Sequence, residues 1–239
     1  MSKPSEIGYL RPIGDAGIWH AAHKPFSDPA CHRHLIGLGA VMSLLPQPAA
    51  TVLDLGCGNG WTSVFLARRG YEVTGVDIST DMIFQANQSK QRAQLANLRF
   101  VVADYENLSF GGMFDIALFY DSLHHAVDEQ QAIVGAYRAL KAGGICLTLA
   151  PGRCQAEQPV SAAAGRSYGF MKKDLPIRRV FSLGRHAGFR DFRAYPDAAA
   201  WISRLYGSGK KAKSFVLFPA LRALLSYCRL DNGICVMVK

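Results

Sequence analysis

Residues able to bind a polar ligand and to move a proton fall in three short stretches of this 239-residue chain. The first, Asp54-Leu55-Gly56-Cys57-Gly58-Asn59-Gly60, sets an acid before three glycines at alternate positions. Glycines so spaced let the backbone turn tightly and approach a ligand, and a helix starting there points its free N–H groups into the same space. The second stretch ends at Asp77, a carboxylate suited to holding a pair of hydroxyls. The third, Tyr120-Asp121-Ser122-Leu123-His124-His125, offers two imidazoles as proton acceptors beside an acid.

Each stretch stands at the end of an expected strand. Thr51 to Leu53 is a short β-branched run, and apolar spacing turns helical at Val64, Phe65 and Leu66 before Gly70 ends the helix. Glu72 to Val76 is a second strand, leaving Asp77 at the carboxyl edge, where open α/β sheets bind ligands. Ser79 caps a helix carrying Met82, Ile83 and Ala86; Arg99 to Ala103 is a strand closing on Asp104; Phe114 to Phe119 is a fourth. A helix from Glu129 to Lys141, a turn at Gly143-Gly144 and the strand Ile145 to Leu149 follow. Ahead of all this, Cys31 to Leu45 has helical spacing. Behind it come a helix from Leu175 to Ala187, a strand from Phe189 to Tyr195, a helix from Asp197 to Tyr206 and a closing strand from Ile234 to Val238. Strands this apolar, alternating with helices, require a parallel sheet covered on both faces.

The glycine spacing selects among ligands. A dinucleotide site needs G-x-G-x-x-G, and this run is one residue short of it. With its leading acid, Asp54 to Gly60 resembles the first motif of class I S-adenosylmethionine-dependent methyltransferases of the type 11/25 kind, a likeness covering roughly residues 35–192 and, more loosely, the C-terminus. The resemblance implies a Rossmann-like, doubly wound, mostly parallel seven-stranded sheet. Its last strand would be antiparallel, with a helical insertion at about 197–232 before it. Residues 1–34 would form an arm or lid and 35–239 one domain, divided into a cofactor half (35–152) and an acceptor half (153–239). It further implies S-adenosyl-L-methionine as cofactor and S-adenosyl-L-homocysteine as product. Asp54, Gly56, Cys57, Gly58, Asn59 and Gly60 would surround the cofactor, with Asp77 and Ile78 at its ribose. Ala103, Asp104 and Tyr105 would stand at the adenine, Asp104 accepting from the amino group, with Tyr120 completing the set.

Methyl transfer from a sulfonium is a direct displacement, so a hydroxyl acceptor gains from a general base. His124 and His125 are the candidates, with Asp121 orienting one of them or holding the cofactor's methionyl amine; the other reading is that one histidine packs against the cofactor or caps the next helix. The Asn/Asp-Pro-Pro-Tyr of base-methylating relatives is replaced here by Tyr120 to Leu123, which disfavours amino-group methylation of nucleic acid bases. Three functions stay open: O-methylation of a small-molecule or sugar/glycan acceptor, RNA methylation, and an inactive cofactor-binding subunit. His20, His23, His32 and His34 cluster on the arm, but no carboxylate or cysteine completes a recognisable ligand spacing, so no metal is expected.

With 49% hydrophobic residues the chain can bury a substantial core. Its six cysteines include no C-x-x-C, no signal peptide or membrane span is legible, and a soluble cytoplasmic protein is expected. The net charge of +9 is unevenly placed: residues 1–152 hold 11 basic and 13 acidic side chains, residues 153–239 hold 16 and 5. Arg153, Arg166, Lys172, Lys173, Arg178, Arg179, Lys210, Lys211 and Lys213 therefore suggest an anionic acceptor, or peripheral contact of Phe215 to Leu225 with an anionic membrane. Acceptor turnover should then fall as salt rises from 0.1 to 1 M and the Debye length shrinks from about 10 to about 3 Å, with cofactor affinity held. Salt-independent turnover together with no sedimentation on anionic vesicles would make the basic third plain surface.

Overall fold

The computed structural model describes residues 3–7, 14–150, 174–199 and 233–239. In chain order these give α1 (Lys3–Ile7), α2 (Gly14–His23), α3 (Cys31–Leu44), β1 (Thr51–Leu55), α4 (Trp61–Arg68), β2 (Glu72–Asp77) and α5 (Thr80–Ala93). β3 (Leu98–Val102), β4 (Phe114–Tyr120), α6 (Glu129–Ala139), β5 (Leu140–Ala150), α7 (Ile177–Ala187), β6 (Asp191–Pro196) and β7 (Gly233–Val238) follow. The strands form one sheet in the order β3-β2-β1-β4-β5-β7-β6. The first five run parallel, and β7 enters antiparallel between β5 and β6, pairing Val238 with both Ile145 and Asp191.

Period-two alternation of apolar side chains on central strands feeds two cores. Leu53, Leu55, Ala117 and Phe119 face α6 and α7, joining Ile133, Ala136, Val180 and Leu183. Val52, Ile116 and Leu118 face the other way, toward Leu38 and Val41 of α3 and Leu66 of α4. Residues such as Leu53 and Ile116 are 0% exposed, as expected of strands covered on both faces. Helix boundaries follow local chemistry: Ser79 Oγ accepts from the Met82 N–H at 3.4 Å to cap α5, and Gly188 (φ +109°) ends α7.

One expected turn is instead strand. Gly143-Gly144 lies inside β5, which begins at Leu140 directly after α6. Phe114 pairs with Leu140 but Ile116 with Ile145, so the ladder slips, and Gly143 (φ +75°) takes up the extra chain as in a bulge. The expected helix to Tyr206 and the insertion at 197–232 fall largely outside the described residues, as do Arg153, Arg166, Lys172, Lys173, Lys210, Lys211, Lys213 and the run Phe215 to Leu225. Among the described residues no helix is long and apolar enough to cross a membrane.

At the edge of the sheet remote from the carboxyl ends, Asp115 ties β4 to β1. Its Oδ2 accepts from the Thr51 N–H (2.8 Å) and hydroxyl (2.7 Å), and Lys141 Nζ donates to both carboxylate oxygens at 2.8 and 2.9 Å. Partial burial works to raise this carboxyl, but Lys141 and Thr51 outweigh it and bring it to about 2. Because the folded value is depressed, the contribution is complete above about pH 4, where the unfolded carboxyl is ionised, and vanishes as pH falls through about 2. The group is about one-third exposed, so Asp115→Asn should cost only about 1 kcal/mol at pH 7. Denaturant unfolding of the two proteins should converge below pH 2.

Candidate functional site

The carboxyl ends of β1 and β4, together with the arm, enclose a cavity of about 140 Å³. Its floor is the turn Gly56 to Asn59, and Trp61 and Thr62 of α4, Met82 of α5, and Tyr120 and Asp121 form further walls. His20, Ala21, Lys24 and His34 close it from the arm.

The turn is fastened to β2 through its backbone. The Gly56 and Cys57 N–H groups both donate to the Val76 carbonyl (2.9 and 3.0 Å), and the Gly58 N–H donates to Asp77 Oδ2 at 3.0 Å. Two of the glycines serve different ends. At Gly58 (φ +54°) an added Cβ would meet nothing within 4 Å, so its bare face fronts open space; at Gly60 (φ +79°) it would stand 2.4 Å from the Phe100 ring. Cys57 is buried, and burial first, then the charges of Asp77 and Asp54, push its thiol well up, so it stays neutral. Asn59 donates through its side chain to the Ala21 carbonyl, joining the turn to α2.

Asp54 is 1% exposed, behind the turn rather than in the cavity wall. Its Oδ2 accepts from Thr62 Oγ1 and Ser63 Oγ, each at 2.6 Å. Burial raises its carboxyl above the usual range, against the two hydroxyls. Asp77, at the end of β2, accepts from the Ser79 N–H through Oδ1 (2.9 Å), and its carbonyl accepts from Ala103 (2.9 Å), bringing Ile78 and Ala103 to the same edge. Asp104 holds the Glu106 N–H on Oδ1 (2.9 Å) and Asn107 and Lys3 on Oδ2. Burial acts to raise its carboxyl, but Lys3, Glu106 and Asn107 together bring it below the ordinary range. Tyr105 packs edge-on against Phe119 and donates to the Ser122 carbonyl at 3.3 Å.

At the end of β4, Tyr120 is 8% exposed and donates to the His34 carbonyl at 2.7 Å; at Gly37, one turn along α3, a Cβ would lie 2.7 Å from that phenol oxygen. Burial pushes the Tyr120 hydroxyl far up, so it acts as a donor and not a base. Asp121 takes a positive φ of +52°, unusual for a residue with a side chain and frequent where a backbone is held for a function. The structure divides the expected histidine pair. His124 is 1% exposed with Nδ1 3.8 Å from Asp121 Oδ1, while His125 is half-buried, its ring centroid 4.2 Å from that of His124. Neither belongs to the described cavity wall.

Sequence reasoning missed Lys24, His34 and Trp61 as wall residues, because only the fold-back of the arm brings the first two there. That fold-back is pinned at several points: Lys3 pairs with Asp104 and, at 3.2 Å, Glu106; Ser79 Oγ donates to the Ile7 carbonyl (3.0 Å); Asn59 holds Ala21. Of the expected basic face, Arg179 is engaged with Glu129 of α6 at 3.0 Å.

Residues 53–148 match the family described as a methyltransferase domain. The chain is 38% identical over 109 residues to an S-adenosyl-L-methionine-dependent Diels-Alderase, iccD, of Talaromyces variabilis, a match covering 44% of this chain and 37% of that protein. It is 28% identical over 189 residues to a ubiquinone biosynthesis O-methyltransferase of Xanthomonas campestris pv. campestris, covering 78% of this chain and 74% of the relative. The chain covers only 37% to 42% of the length of the first curated relatives it matches. Among solved structures, phosphoethanolamine N-methyltransferase 2 of Haemonchus contortus, in complex with S-adenosyl-L-methionine, shares the fold with a TM-score of 0.67 at 20% identity, over 100% of this chain and 60% of that one.

The two glycines separate binding from packing. Gly60→Ala should lower stability by roughly 2 to 4 kcal/mol, from backbone strain plus the Phe100 clash, whereas Gly58→Ala should lose only about 1 to 2 kcal/mol. Gly58→Ala should nevertheless show the larger loss in ligand affinity relative to its loss in stability. Thermal unfolding and calorimetry on both variants read the two quantities.

Proposed function

We propose, since residues 53–148 match the family described as a methyltransferase domain, that the protein is a class I, S-adenosylmethionine-dependent enzyme that transfers a methyl group to an oxygen of a small-molecule acceptor. The observation that carries this reading is the Gly58 N–H bonded to Asp77: the open glycine face and the carboxylate at the end of β2 are one rigid cradle. The residues fit the cofactor. A bare glycine backbone permits close approach, Asp77 suits the ribose hydroxyls, Asp104 the adenine amino group, and Asp121 the methionyl amine. Gly56 and Gly60 shape the turn, and Asp54 holds it from behind.

The cofactor supplies an electrophilic methyl on a sulfonium; the chain supplies alignment, exclusion of water and a proton acceptor. An acceptor hydroxyl surrenders its proton to a histidine; of the expected pair, His124 is buried beside Asp121 and His125 is half-buried, and neither lines the cavity. O-methylation is supported by the relative named for ubiquinone biosynthesis, and a sugar or glycan hydroxyl would obey the same chemistry. A second reading keeps the cofactor unspent while the acceptor rearranges; it is favoured by the 38% identity to the Diels-Alderase.

Titration calorimetry should show S-adenosyl-L-methionine or S-adenosyl-L-homocysteine binding and no response to NAD. Asp77→Asn, which removes the charge and leaves one oxygen able to accept from only one of the Gly58 and Ser79 N–H groups, should weaken that binding by at least ~1.5–3 kcal/mol, about tenfold to a hundredfold. Saturable NAD binding without response to the methyl donor would overturn the assignment. Incubation with labelled cofactor and fractionated metabolites then decides between the two readings: label moves to an acceptor in the first and stays on the cofactor in the second.

A further inference from the structure

The four arm histidines do not gather: among the described residues no three His, Cys, Asp or Glu groups are placed to hold a metal. His32 is exposed, and His23 stacks on Trp19 at 4.5 Å with its Nδ1 on the Trp19 carbonyl (2.8 Å). His20 and His34 reach the cavity instead, and among the described residues only His34 of the two has a carboxylate behind it. His34 Nε2 lies 3.2 Å from Asp28 Oδ2. Asp28 is itself fixed in a tight turn, with the Ala30 N–H on Oδ1 (2.7 Å), its own N–H on the Pro25 carbonyl (3.1 Å) and its carbonyl accepting from Cys31 (2.9 Å). Partial burial would raise its carboxyl, but Ala30, His34 and Lys24 more than offset this, so Asp28 is ionised. From the other side the His34 ring meets the edge of Trp61, centroids 6.0 Å apart, and its carbonyl holds Tyr120. Nδ1 makes no hydrogen bond among the described residues.

We propose that His34, oriented by Asp28, is the proton acceptor for the hydroxyl that is methylated, an inference that rests on the methyl-transfer reading. The carboxylate fixes the tautomer with hydrogen on Nε2, which leaves the Nδ1 lone pair available, and it stabilises the imidazolium that forms when Nδ1 is protonated. His34 shares the cavity with Gly58 and Asp121, the cradle and the loop after β4, between which donor and acceptor must meet. In the step, the acceptor O–H bond breaks as its proton passes to Nδ1, and the oxygen forms a bond to the methyl carbon. The carbon–sulfur bond breaks with its electron pair kept by sulfur, which leaves as a neutral thioether; solvent later takes the proton from His34. His20, Lys24 and Asp121 are the other charged or titratable side chains lining the cavity with His34, apart from the neutral Cys57 thiol and the Tyr120 hydroxyl. Asp28 is a positioning residue here and touches no reacting atom.

The test uses the full chain with 3,4-dihydroxybenzoate as the probe acceptor and histidine labelled with ¹⁵N. Ring ¹⁵N shifts should show His34 in the Nε2–H tautomer, and Asp28→Asn, whose amide still accepts from Ala30, should abolish that preference. His34→Asn should lower kcat roughly 10² to 10⁴-fold with S-adenosyl-L-homocysteine affinity unchanged. Asp28→Asn should lower kcat with the same affinity held, and Asp28→Glu should recover part of the loss. An Nδ1–H tautomer in the unmodified chain, or undiminished kcat in His34→Asn, overturns the proposal alone. Absence of S-adenosyl-L-homocysteine binding, or binding with no methylation of the probe by the unmodified chain, overturns it together with the hydroxyl-methylation reading.

Discussion

The carboxylate of Asp54 lies inside the protein, and two hydroxyls from the first turn of α4 keep it there. An ion in such a place is costly unless its lone pairs are filled, so Thr62 and Ser63 cannot drift, and the start of α4 is locked to the end of β1. Between those fixed ends the chain has five residues, Gly56 to Gly60, in which to turn. The Val76 carbonyl receives two of their N–H groups and the Asp77 carboxylate a third, so the turn is held against β2 as well. The shape of the turn is therefore a consequence of one buried acid and one strand end.

The other side of the cavity is built by long-range contacts of a different kind. Glycine at position 37 lets the Tyr120 hydroxyl reach the backbone of α3, which sets the distance between α3 and the end of β4. Trp61 then fills the angle between them, edge-on to both Tyr120 (5.3 Å) and His34. Because α3 is anchored by Leu38 and Val41 in the core under the sheet, the arm segment that precedes it is directed back across the carboxyl edge. Lys3 at Asp104 and Glu106, and Asn59 at Ala21, fasten that return at two separated points.

Polarity in the site is arranged by element. The sheet edge and the loops leaving it carry acids, Asp77, Asp104 and Asp121, of which Asp121 lines the cavity, whereas the arm lines it with His20, Lys24 and His34 and keeps Asp28 behind His34. One charge contact between the arm and that edge is explicit, Lys3 with Asp104 and Glu106.

Local signals in the sequence determined the alternation of strands and helices, the parallel sheet with buried faces, and the glycine turn with Asp77 beside it. Period-two and helical spacing, glycines at positive φ and capping Ser79 all act within a few residues of themselves and so are visible in order along the chain. Asp54 was legible as part of the motif, but its orientation was not, since whether a carboxylate turns toward ligand or helix depends on which hydroxyls reach it. The bulge at Gly143 was equally hidden, because a glycine pair reads as a turn until the register of β4 against β5 is known. Tertiary structure alone decided that His124 is buried while His34 faces the cavity, and that Asp28 stands behind His34. Those facts depend on how α3 packs under the sheet and where the arm returns, and packing over such separations leaves no periodic trace in the residues it brings together.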